Sequence, residues 1–76
     1  MEMNFYQETY AEMMMIGKNL RRIRERKRIT QTDLARRAEL SNVSISRIER
    51  GETPNIFNLM KIMKVLHVKF EDLTRL

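Results

Sequence analysis

Asn42, Val43, Ser46, Arg47 and Arg50 lie within nine residues of one another, and their spacing puts them on one side of a helix. At about 100° per residue, Ser44, Ile45 and Ile48 fall on the other side, which can pack. The outer side then carries an amide, a methyl pair, a hydroxyl and two guanidinium groups in one patch. Amide and guanidinium groups can each make paired hydrogen bonds to base edges, and a methyl pair can meet a thymine methyl, so the patch suits the major groove of DNA.

Other chemistry is poorly supplied. The chain has no cysteine, which excludes a disulfide framework, a thiolate zinc site and a thiol nucleophile. Asp33, Glu39 and Glu49 do not form a carboxylate pair, and no base is placed to activate Ser41, Ser44 or Ser46. His67 is the single histidine and has no Cys, His or carboxylate at ligand spacing, so it reads as a turn residue. No catalysis, metal or cofactor is expected.

Short elements must hold the patch. Leu34, Ala35 and Ala38 give residues 31–38 an apolar face, with Thr30 as N-cap and Asp33 near the positive end of the helix dipole. Residues 38–41 form a turn. Ser41 caps a third helix from about Asn42 to Arg50, ended by Gly51. The first helix runs from about Met13 or Ile16 to Arg28, with Ile16, Leu20 and Ile23 inward. Asn55 caps a fourth helix whose apolar stripe is Ile56, Leu59, Met60, Ile62, Met63 and Leu66. A turn at His67 and Val68 leads to a last short helix from Phe70 to about Leu76. With two Gly and one Pro in 76 residues, most of the chain can be helical. Residues 13–76 form one domain. Residues 1–12 form an extension, read as a frayed tail in preference to a backward continuation of the first helix.

The charge is unevenly placed. The net charge is +5, yet residues 1–15 carry only acids, Glu2, Glu8 and Glu12. Residues 16–50 carry eleven Lys or Arg against four acids, which concentrates positive charge around the helical pair as a polyanion footprint would. No apolar run approaches a membrane span, and the acidic N-terminus shows no secretory signal.

The chain resembles the lambda-repressor-like, or Cro/XRE-type, helix-turn-helix family. LRRIR at Leu20–Arg24, ITQTDLA at 29–35, S-x-x-x-I-S-x-I-E-x-G from Ser41 to Gly51, Pro54 with Leu59, and VLHVKFEDL at 65–73 carry the likeness over residues 16–73. The resemblance implies an all-α, compact five-helix fold with the helix-turn-helix in helices 2 and 3. It implies base contacts by Asn42, Val43, Ser46 and Arg47. A phosphate remains an alternative target for Arg47, and the backbone for Asn42. Expected phosphate contacts are Thr30, Gln31, Arg36, Ser41, Arg50 and Asn55. Arg24 and Glu49 match an internal ion pair of the family. Glu39 departs from the pattern: many members have glycine there, and the left-handed turn suits glycine better.

The resemblance further implies a cytoplasmic regulator of double-stranded DNA, bacterial or phage, most simply a repressor. A homodimer on a palindrome follows from it, and also because one short helix reads few base pairs. Val68, Phe70, Leu73 and Leu76 are the expected dimer surface, with Phe5 and Tyr6 as the rival source. Control of such a regulator is expected from its concentration, a regulatory protein partner or proteolysis. A DNA-binding antitoxin or restriction-modification controller, and a protein-interaction module on the same fold, are the alternatives.

Overall fold

A computed structural model describes residues 4–75. The element order is α1 (Phe5–Arg26), α2 (Gln31–Ala38), α3 (Asn42–Glu49), α4 (Ile56–Leu66) and α5 (Phe70–Thr74). α1 packs on α3 and α5, while α2 packs on α3 and α4. Leu20, Leu34, Ile45, Ile62, Leu66 and Leu73 are the largest fully buried side chains, so every helix contributes to one core.

α1 begins well before the expected start at Met13 or Ile16. The Asn4 side chain accepts from the Gln7 N–H at 3.2 Å, and Glu8 lies in the first turn, where a negative charge complements the dipole. Residues 4–12 are exposed on every side. The helix also stops earlier than Arg28, because Arg28 adopts φ 58 and turns Ile29 inward.

Four helices end through a residue in the left-handed region: Arg28, Glu39, Gly51 and His67. At each end two backbone N–H groups bond back to the last turn. After α3, Gly51 N–H donates to Ile48 O and Glu52 N–H to Arg47 O, both at 3.0 Å. This satisfies carbonyls that would otherwise be orphaned. Three of the four left-handed residues carry a Cβ, Glu39 among them as expected, and each therefore bears a steric cost.

The stripe expected on α4 is narrower in the fold. Leu59, Ile62 and Leu66 point inward, whereas Ile56 is 69% and Met60 50% exposed. At about 100° per residue, Ile56 lies at the edge of the face set by the three inner residues and Met60 lies outside it. Leu73 corrects another expectation. It is 0% exposed and completes the core between α1 and α5, so it offers no surface to a second copy. Val68 is half-buried and Phe70 exposed. Leu76 lies outside the described residues.

Candidate nucleic-acid interface

α3 is held at both ends. At its start, Ser41 Oγ accepts from the Ser44 N–H at 3.1 Å, and the Asn42 amide donates to Thr32 Oγ1 at 2.7 Å. The second bond ties the outer faces of α2 and α3 together. At its end, α1 comes very close. A Cβ placed on Gly17 would collide with the carbonyl oxygens of Ile48 and Glu49, so only glycine allows this approach without a shift.

Glu49 is also the centre of a network. Arg24 Nε donates to its Oε2 at 2.6 Å and Arg24 Nη2 to its Oε1 at 3.0 Å. Arg24 Nη1 donates to the Ile29 carbonyl at 2.8 Å, and Gln31 Nε2 donates to Glu49 Oε1 at 3.0 Å. The pair is buried. Hydrogen bonding to Glu49 raises the Arg24 guanidinium above its ordinary range, against the opposing effect of burial. The last turn of α1, the first residue of α2 and the last residue of α3 are thereby locked together.

This lock turns α3 so that Ile45 and Ile48 are buried and Asn42, Val43, Arg47 and Arg50 are exposed. Val43 is 55% exposed, an apolar side chain held in solvent beside two arginines. Ser46 is half-buried at the margin of this face. Ser44, assigned to the packing side, is also half-buried, and its hydroxyl lies 3.0 Å from that of Ser41. Arg47 and Arg50 both approach Glu52, at 4.0 and 3.7 Å. These exposed pairs are weak, so the guanidinium groups remain available to another anion.

The residues assigned to phosphate have divided roles. Thr30, Ser41 and Asn55 each use a side-chain oxygen to cap the helix that follows, at 3.0, 3.1 and 2.7 Å. What they still present outward is the hydroxyl or amide hydrogen and the N–H groups of a helix start, which suit an anion. Gln31 spends one amide hydrogen on Glu49, so it positions α3 as well as facing the helix start. Arg36 is exposed and pairs with Asp33, which also holds Arg37 at 2.9 Å.

Three positioning residues escaped sequence reasoning: Gly17, Asn19 and Thr32. Buried Asn19 donates to the carbonyls of Leu73 and Arg75, at 2.6 and 2.8 Å, and so anchors α5 on α1. An amide in line with Ile16, Leu20 and Ile23 on the inner stripe of α1 was its only signal. Gly17, mid-helix beside Ile16, was a comparable hint of a close approach.

No helix among the described residues is long and apolar enough to cross a membrane. A family model described as helix-turn-helix matches residues 20–73, more than half of the chain. Neither a curated protein nor a solved structure matches it.

Proposed function

Because the chain belongs to the Cro/C1-type helix-turn-helix family, a family of DNA-binding transcriptional regulators, we propose that it is a repressor acting as a homodimer on a palindromic operator. α3 enters the major groove with Asn42, Val43 and Arg47 toward base edges and Ser46 at the margin, permitting close approach. Thr30, Gln31, Arg36, Ser41, Arg50 and Asn55 sit on phosphates, which fix orientation without reading sequence. The observation that carries this reading is the exposed face of α3, pinned at one end by Ser41 and Thr32 and at the other by Gly17 and the Glu49 network.

The dimer surface is Val68 and Phe70 together with the flank of α4. Val68 shares one surface depression with Met60 and Met63. Ile56, Phe57 at 67% exposure, and Met60 extend the apolar area along α4. Met63 and Val68 pack in part on the core and Lys61 lies over the Phe57 ring, and the apolar area that stays open beside them supports a contact between copies.

Selection of bound sites from random double-stranded DNA tests the proposal. The expected outcome is a palindrome with half-sites about 34 Å apart. Affinity should fall by about 10³–10⁵ between about 50 and 200 mM salt if about 6–10 phosphates are contacted. Sites without symmetry would remove the dimer, and a flat salt response would remove DNA binding itself.

A further inference from the structure

One acid stands inside the basic face. Residues 42–58 contain two acids, Glu49 and Glu52, and Glu49 is buried in its network with Arg24. Glu52 follows the turn at Gly51, and its N–H donates to the Arg47 carbonyl at 3.0 Å, which fixes it against the last turn of α3. Its side chain is exposed and approaches both cations of the face, with one oxygen for each. Oε1 lies 4.0 Å from Arg47 Nε, and Oε2 lies 3.7 Å from Arg50 Nη2. Together with Ser44, Arg47 and Asn55, it lines a depression between α3 and the start of α4. A carboxylate is therefore set among an arginine assigned to bases, an arginine assigned to phosphate and a helix start assigned to phosphate. An acid in that place opposes a polyanion.

Building on the assignment of α3 to the major groove, we propose that Glu52 is a specificity determinant that works against phosphate binding. On unrelated sequence, Arg47 and Arg50 meet only phosphates. Each then exchanges one anion for another, and the Glu52 carboxylate is left among like charges. On the operator, Arg47 turns to a base. Glu52 approaches it on the Nε side, which leaves both Nη groups for the O6 and N7 of a guanine. Glu52 then keeps its cation, and the base edge carries no full charge to repel it. Non-specific binding is essentially all electrostatic, so the carboxylate weakens the non-specific complex more than the specific one. Glu52 acts through Arg47 and Arg50, as a positioned competitor for the phosphates.

The expected size follows from Coulomb's law. In water, two unit charges about 4 Å apart change an equilibrium constant by about fivefold. Glu52 and both arginines are exposed, so salt screens the effect.

The test compares Glu52→Gln with Glu71→Gln in the full chain. Glu71 is an exposed acid on α5, which packs on α1, so the second variant makes the same change in net charge away from the reading face. Affinity is measured for the operator obtained by selection and for a duplex of unrelated sequence, at about 50 and 200 mM salt. At the lower salt, Glu52→Gln should bind the unrelated duplex about fivefold tighter and the operator about twofold tighter or less. The ratio of the two affinities should therefore fall, and fall less at the higher salt. Glu71→Gln should leave that ratio unchanged. An unchanged ratio for Glu52→Gln, a gain no larger than that of Glu71→Gln, or a loss of affinity overturns the proposal, and each of these leaves the assignment of α3 standing. An unaltered chain that binds neither duplex removes the proposed function, and this inference with it.

Discussion

From Ile16 to Arg24, α1 lies against α3 and α5, and Arg24 is fixed by bonds to Glu49 and to the Ile29 carbonyl. From Phe5 to Met13 the same helix, with the same periodic stripe, has an open cleft before it. The two halves differ in what they meet, and much less in what they are. Periodicity therefore sets which face of a helix will be apolar. Whether that face becomes core or stays exposed depends on where the remaining elements end.

The sharpest way to break the pinned half is to remove one partner of its ion pair. Arg24→Ala leaves Glu49 buried without its cation and should cost about 3–5 kcal/mol, read from denaturant unfolding. The double variant with Glu49→Ala should cost less than the sum of the two single changes, because the sites are coupled. Gly17→Ala comes next. It places a methyl against the carbonyls of Ile48 and Glu49 and should cost about 1–3 kcal/mol, although alanine is the better helix former. DNA affinity should fall with it, since the end of α3 must shift.

A smaller effect of opposite sign is expected at the turn between α2 and α3. Glu39 holds φ 58, and Glu39→Gly relieves that strain against glycine's greater entropy loss. A net gain of about 0.5–1 kcal/mol should appear as a raised melting temperature. The smallest effect belongs to the exposed half of α1. Tyr6→Ala should stay within about 0.5 kcal/mol, because Tyr6 touches no core. Amide exchange sharpens the same contrast: the N–H groups of residues 8–12 should exchange far faster than those of residues 20–24.

Local chemistry made much of this legible from the amino acids alone. Thr30, Ser41 and Asn55 start α2, α3 and α4 as N-caps, since a cap is written in one residue and its immediate successors. Gly51 and the strain at Glu39 were readable for the same reason. So was Val43, an apolar residue out of phase with Ile45 and Ile48. The resemblance supplied the Arg24–Glu49 pair, which no spacing rule joins across 25 residues. The fates of Ile56, Met60 and Leu73 were not legible, because which apolar residues become core is decided by the packing of the other helices around them. The Asn4 cap was missed because chain termini commonly fray and a helix continued through residues 4–12 leaves apolar side chains exposed. Gly17, Asn19 and the bond from Gln31 to Glu49 depend on contacts between separate helices, which local patterning does not record.

The most direct test of α3 as the reading surface is the affinity of Arg47→Ala across single-base variants of the selected operator, with Gln31→Ala beside it. Discrimination should fall by about 1–3 kcal/mol at one base pair in each half-site for Arg47→Ala, while Gln31→Ala should weaken all sequences alike. Uniform weakening by Arg47→Ala would place that side chain on the phosphate backbone and contradict the account.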